Sequence, residues 1–414
     1  MLVNMADTFM VAKLGDVPLA AVSFAGNLSV PFMFFGIGSA ATTTPLIGRR
    51  LGRGDTEAIA QIIAHARRFN WLVVLAQLVI LAALDILMPF MGQPDEVISI
   101  AQTFLPIYAA SLIGQQMFVC SRTIIEGMQD TTTPMIVGLA CNILNIALNI
   151  PLIFGFGNFD GLGPHGAAIS TLACRTLMWL VMENILRRRL RKLNIAPRPA
   201  NSHNLTLWLL KIGLPSGAQA FIECIGFAMG GIMMGWISTQ AISAHQVVNA
   251  FTSTTFLMVS GLATAITIKV SLASGSNDKT AARHYALTGI ALGALFMVAT
   301  AALYALGRQY IPSLIITNPE TLAIASSIML VGAAFQIFDG LQVTALGALR
   351  GFADFAYPAR VAAVSYALTC IPVGYFCAFI LNLGPAGVWC GFTAGLALAA
   401  TLLLWRLRKK FLAD

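Results

Sequence analysis

The chain has 414 residues, 57% of them hydrophobic and only 10% charged, against roughly 25% charged in an ordinary soluble domain. That balance excludes a water-soluble globular fold. The net charge of +8 does not mark a nucleic-acid surface either, because the basic residues fall between apolar runs rather than on one soluble face.

Residues 1–14 form a stub too short to cross a bilayer, and it lacks the basic start and small-residue cleavage site of a signal peptide. It is expected to be part of a first spanning helix whose front is missing. Apolar runs then predict spans near residues 18–45, 69–92, 100–122, 132–156 and 163–186, and near 207–236, 241–271, 284–306, 320–346, 357–381 and 384–405. Each is long enough for ~30 Å of hydrocarbon at 1.5 Å per residue. A β-barrel is excluded, since its strands alternate every second residue. The fold class is therefore all-α integral membrane, with eleven full spans plus a truncated first helix.

Lys and Arg occupy every alternate connection: Arg49, Arg50, Arg53, Arg67 and Arg68; Arg122; the cluster from Arg187 to Lys211; Lys269, Lys279 and Arg283; Arg350 and Arg360; and the tail from Arg406 to Lys410. The other side carries only Lys13 and Arg308, so the basic connections and the C-terminus are expected to be cytoplasmic. The seven cysteines lie in or at the ends of spans without a CxxC pair and read as small apolar packing residues.

The two halves repeat at a near-constant offset. Gly127, Asp130 and Pro134 correspond to Gly351, Asp354 and Pro358; Pro151, Gly163, Pro164 and Gly166 to Pro372, Gly384, Pro385 and Gly387; Gly38, Gly52 and Asp55 to Gly261, Gly275 and Asp278. An even number of spans per half makes these parallel repeats, a transporter architecture. The expected division is an N-terminal lobe at 1–186, a basic linker at 187–206 that anchors on anionic lipid, a C-terminal lobe at 207–406 and a tail at 407–414.

Ionisable residues inside a span are functional hypotheses by default. Asp7, Glu223 and Asp339 stand out, each with a structural reading as a carboxylate bonded to a neighbouring helix. Asn145 and Asn149, four apart, share a helix face, and with Thr171 of the next helix they offer oxygens suited to a monovalent cation or, equally, to interhelical hydrogen bonding. Arg175 is expected to pair with a carboxylate or to snorkel. His245, with Gln246 and Asn249 nearby, is a lone imidazole that suits packing or substrate contact and not zinc. GLGPHG at 161–166 fits G-x-G-x-x-G, but with no strand before it and a span after it, it reads as a turn entering a helix. No hydrolase triad, P-loop or HExxH is present.

The ordered stretches NMADTFMVAKLGDVPLAAVS, TTPLIGRRLGRGD, IIEGMQDTTTPM, GLPSGAQAFIE, ISAHQVVNAF and ALGALRGFADF resemble the multidrug and toxic compound extrusion family in its NorM-like branch, over essentially the whole chain. The resemblance implies twelve helices in two six-helix lobes and export of cationic, amphipathic organic compounds driven by entry of Na⁺ or H⁺. It implies that Asp7 binds the proton or cation, completed by Asn145, Asn149, Ala167 and Thr171, with Asn149 an amide where some relatives carry aspartate. It matches Glu223 and Asp339 to a second proposed cation site, where Phe335 replaces a tyrosine. His245, Gln246, Asn249 and Phe335 are candidates to line the substrate cavity.

The expectations are thus a non-enzymatic antiporter of the bacterial inner membrane, with a cytoplasmic C-terminus. It takes no cofactor besides its coupling ion and no transition metal. Its partners are small organic cations and lipid, not nucleic acid, and it acts as a monomer through alternating access. The alternatives are a lipid-linked-oligosaccharide flippase, which would need more basic residues in its cavity than Arg175, and a non-transporting remnant.

Overall fold

A computed structural model describes residues 10–157, 159–196, 199–200 and 203–413. Its helices in chain order are α1 (Asp16–Ala40), α2 (Thr43–Gly52), α3 (Thr56–Leu87), α4 (Asp95–Gly127), α5 (Thr132–Phe154), α6 (Pro164–Lys192) and α7 (His203–Ile237). They continue as α8 (Thr239–Gly275), α9 (Lys279–Leu306), α10 (Pro319–Gly351), α11 (Ala356–Ile380) and α12 (Gly384–Ala413). With α1 and α2 taken together, the described residues hold 11 helices long and apolar enough to cross a membrane.

Their side-chain pattern is that of a membrane protein. Along α5, Pro134, Val137, Cys141, Asn145, Asn149 and Ile153 are buried at steps of three and four, while Leu139 (57%) and Ile143 (61%) lie exposed between them. Turning leucine and isoleucine outward and asparagine inward is unfavourable in water and favourable in hydrocarbon, where each polar group needs a partner from a neighbouring helix.

The turns between spans are built by short-range chemistry. Asp130 opens α5 by accepting the Thr133 backbone N–H at 3.0 Å and its hydroxyl at 2.7 Å, and it also pairs with Arg189. Burial pushes the Asp130 carboxyl up, but the Thr133 and Arg189 donors outweigh it and hold the group below the usual carboxylate range. GLGPHG is a turn into α6, as read from sequence, but a short antiparallel ribbon precedes it, β1 (Gly155–Phe156) pairing with β2 (Phe159–Asp160). The expected absence of a strand was wrong there: Leu162 N–H donates to Leu152 O and Gly163 N–H to Ile153 O, folding the loop back on the end of α5. Two residues per strand is not a βαβ unit, so the dinucleotide reading still fails.

The chain forms two compact units, Met1–Ile47 with Asp55–Gly217, and Gly48–Gly54 with Ala218–Asp414. The boundary falls inside α7 rather than in the basic stretch at 187–206, and α6 runs on to Lys192. The first part of α7 stays with the amino-terminal unit because the Ser216 hydroxyl donates to Gly38 O at 2.8 Å and Thr206 bonds His65 Nδ1 at 2.7 Å. Within the basic stretch, Arg187 is tied to Glu183 and Arg189 to Asp130, so these two cations serve helix ends as well as any lipid surface.

The repeat is visible in each unit. In one, α4 packs against α1, α3 and α6; in the other, α10 packs against α8, α9 and α12. Asp354 pairs with Arg406 at 2.9 Å and Lys410 at 3.5 Å, as Asp130 does with Arg189. Gln129 and Ala353 hold the same left-handed backbone, φ 69° and 57°, and Asp55 and Asp278 each accept from the backbone N–H three residues on, both at 2.9 Å. On α12, Gly387, Gly391 and Gly395 form a ridge that lets α11 approach so closely that a Cβ at Gly391 would stand 2.4 Å from Gly374 Cα. The span α11 is irregular: two segments, Ala363–Cys370 and Phe376–Ile380, are π-helical and flank the α-helical Ile371–Tyr375.

Candidate functional site

In the amino-terminal unit the sequence-predicted residues gather on α5 and α6. Asn145 Nδ2 donates to Ser170 Oγ at 3.1 Å, Ser170 Oγ donates to the Asn145 carbonyl at 3.2 Å, and Asn149 Nδ2 donates to Asn145 Oδ1 at 3.4 Å. Ala167 and Thr171 are buried on the facing helix. Pro151, half a turn past Asn149, lacks the N–H that would bond the Ala147 carbonyl, which loosens the backbone beside this cluster. Met10, Val11 and Leu14 pack with Ile153 and Ala167. Asp7 lies outside the described residues. Ser170 was missed from sequence, although it directly precedes Thr171; a serine in an apolar span is too common to single out.

Arg175 corrects an expectation. It is 9% exposed and neither pairs with a carboxylate among the described residues nor snorkels. Its guanidinium donates to Ser111 Oγ at 2.8 Å and Tyr108 Oη at 3.3 Å and lies 4.9 Å from the Tyr108 ring centroid. Neutral hydroxyls and a ring face surround the charge where the sequence predicted a carboxylate partner or a snorkelling side chain.

The carboxyl-terminal unit holds a second polar cluster. Glu223 on α7 receives two amide N–H bonds on one oxygen, Oε1, from Gln219 Nε2 at 3.1 Å and Gln342 Nε2 at 3.2 Å. Phe335, Asp339 and Gln342 follow one face of α10 at steps of four and three. Asp339 is 3% exposed, and its Oδ2 has no hydrogen-bond partner among the described residues. It lies within electrostatic range of Glu223. Sequence reasoning missed Gln219 and Gln342, each about one turn from a flagged carboxylate, and it missed Tyr366, whose hydroxyl donates to Gln342 Oε1 at 3.4 Å.

Of the four predicted cavity residues, the structure brings His245 and Phe335 together against Trp389 and leaves Gln246 and Asn249 apart from them. His245 is buried and accepts from Trp389 Nε1 at 3.2 Å on Nδ1, with its ring 6.4 Å from that of Phe392. Phe335 lies in the same aromatic cluster, 5.4 Å from Trp389. Gln246 is exposed and Asn249 half-buried. None of the four lines the apolar cavity of about 410 Å³ formed by Met229, Met233, Trp236, Ile371, Pro372, Tyr375, Phe376 and Ile380. Among the described residues, no three His, Cys, Asp or Glu side chains assemble as a metal centre.

The MatE family pattern matches residues 1–150 and 215–376. A probable multidrug resistance protein NorM of Rhizobium meliloti (strain 1021) is 31% identical over 98% of this chain and 88% of its own length. A protein of the same description from Acinetobacter baylyi is 29% identical over 98% and 91%. Among solved structures, MATE in the straight conformation superposes with a TM-score of 0.90 at 20% identity, over 100% of this chain and 92% of that one. The eukaryotic MATE transporter AtDTX14 gives 0.85 at 20% identity, over 98% and 91%. With this fold, these buried polar clusters and this coverage, the chain belongs to the MATE family of multipass membrane transporters.

Proposed function

We propose that the protein is a secondary active antiporter of a bacterial inner membrane, exporting cationic, amphipathic organic compounds in exchange for Na⁺ or H⁺. Two relatives named as probable multidrug resistance proteins support the substrate class. The observation that carries the coupling is Asp339: a carboxylate buried in a spanning helix, one oxygen without a partner among the described residues, beside a second carboxylate, Glu223. Burying such a charge in hydrocarbon costs several kcal/mol, and an arriving Na⁺ or proton removes that cost.

Cation binding then stabilises the conformation in which the two carboxylates share the cation, and the organic substrate stabilises the other. Each ligand shifts the same equilibrium only by its difference in affinity for the two states, so occupancy of one disfavours the other and the cation gradient supplies the work. The amino-terminal cluster of Asn145, Asn149, Ala167 and Thr171, with Asp7, is proposed as a second place where a proton or cation acts. Na⁺ or H⁺ is here a co-substrate. Alternate basic connections support a cytoplasmic C-terminus.

The test is efflux of ethidium from proteoliposomes holding the purified chain, under an imposed Na⁺ or H⁺ gradient. Wild-type efflux should rise with one of the two gradients, and Asp339→Asn, Glu223→Gln and Asp7→Asn should each reduce the driven component at least tenfold. Efflux indifferent to both gradients, or to all three substitutions, would sink the reading.

A further inference from the structure

An amide can present either end to a neighbour, so its orientation is set by what stands on its far side. At Gln342 one end donates to Glu223 Oε1, and the carbonyl at the other end accepts from the Tyr366 hydroxyl. Tyr366 is 3% exposed, and Gln342 is the one hydrogen-bond partner its hydroxyl has among the described residues. Its ring packs in an apolar collar, 6.0 Å from the ring of Phe227. Space for it exists because Gly226, three residues past Glu223, has no side chain: a Cβ there would meet Tyr366 Cδ1 at 2.8 Å.

Tyr366 reaches this position from the π-helical segment Ala363–Cys370. A π turn holds more residues than an α turn, so it rotates the side chains beyond it about the helix axis, and it is a recurrent device at functional sites. The segment buries Ser365, Tyr366 and Cys370 together.

We propose that Tyr366 is a positioning residue for the Glu223 carboxylate. By donating to Gln342 Oε1 it holds the Gln342 N–H on Glu223 Oε1, and with Gln219 this ties down one carboxylate oxygen and leaves the other, with Asp339 Oδ2, to receive the cation. The inference rests on the reading of Glu223 and Asp339 as a cation site. Glu223 Oε2 has no hydrogen-bond donor among the described residues, so the two amides orient the group without occupying its second oxygen. Without the phenol, the Gln342 carbonyl is free to turn toward Glu223, and the carboxylate loses the alignment on which a tight cation site depends.

The experiment measures thermal unfolding of the purified full chain in titrations of NaCl, with choline chloride holding ionic strength, and in parallel titrations of pH. Stabilisation against cation concentration yields an apparent midpoint. Tyr366→Phe keeps the ring and its contact with Phe227, so its cation-free stability should match wild type within the value of one hydrogen bond, while its midpoint moves to about fivefold higher cation concentration. Gln342→Leu should move the midpoint similarly, and the double variant no further than Gln342→Leu alone, a signature that loss of packing would not give. If Glu223→Gln moves the midpoint and Tyr366→Phe does not, or if the two relay substitutions add, the relay is overturned while the cation site stands. If Glu223→Gln leaves both titrations unchanged, the cation site and the relay fall together.

Discussion

Asp130 shows how much one side chain does at the end of a span. It caps α5 through Thr133 and pairs with Arg189 at the end of α6, and these donors hold its carboxyl below its ordinary range although burial opposes them. A folded-state value below the unfolded one means stability that is present at neutral pH and lost as pH falls through the folded value. Asp130→Asn should therefore lower stability at pH 7 by about 1 kcal/mol. The gap to wild type should close as the solution is acidified through the carboxylate range. Thermal unfolding of both proteins in detergent between neutral and acid pH checks this, and a gap independent of pH would count against the ion pair. At this scale the sequence was partly legible. Glu223, Asp339, Asn145 and Asn149 announce themselves because an ionisable or amide group in an apolar run has to be explained. Ser170, Gln219, Gln342 and Tyr366 do not, because a serine, glutamine or tyrosine in a span is ordinary until its partner is known. Arg175 misled because charge suggests an opposite charge, whereas two hydroxyls and a ring satisfy a guanidinium.

At the scale of elements, hydropathy located the spans and missed their ends. The structure extends α4 to Gly127, α8 to Gly275 and α10 to Gly351, beyond the apolar runs, because helices continue past hydrocarbon until a turn residue stops them. Glycine spacing carries the packing of the last two spans. Gly387, Gly391 and Gly395 present backbone to α11, and Gly391→Val would drive its side chain into Gly374. That substitution should destabilise the protein by about 2 kcal/mol or more, seen as lower detergent-resistant yield and earlier thermal unfolding, whereas Gly138→Ala, within α5 and with open space around it, should cost less. Equal losses from the two would refute the ridge. The π-helical stretches of α11 had no counterpart in the reading of the sequence: a widened turn depends on what packs beside it, and hydropathy does not register it.

For the whole molecule, the alternate distribution of Lys and Arg predicts orientation. A phosphatase reporter fused after Asp414 should be inactive and a fluorescent protein fused there bright in intact bacteria, with the opposite behaviour for fusions in the connection bearing Arg308. The reverse pattern would overturn the assigned topology and the direction of transport with it. The internal repeat was readable because turns use the same few residues wherever they recur: Asp130 with Asp354, Asp55 with Asp278, Gly163 with Gly384. Where the compact units divide was not, because Ser216 and Thr206 bind the start of α7 to Gly38 and His65, contacts between residues distant in sequence.

By itself the sequence determined that this chain is helical, multispanning, internally repeated and carries ionisable groups where hydrocarbon should expel them. Length, hydropathy and turn chemistry are local, and the bilayer leaves backbone hydrogen bonding few solutions. Only the tertiary structure decided which amides hold which carboxylate, that Arg175 donates to hydroxyls, that His245 accepts from Trp389, and that Tyr366 reaches toward Glu223 through Gln342. Those partnerships join residues up to 144 positions apart, and helix packing sets them rather than anything nearby in the chain.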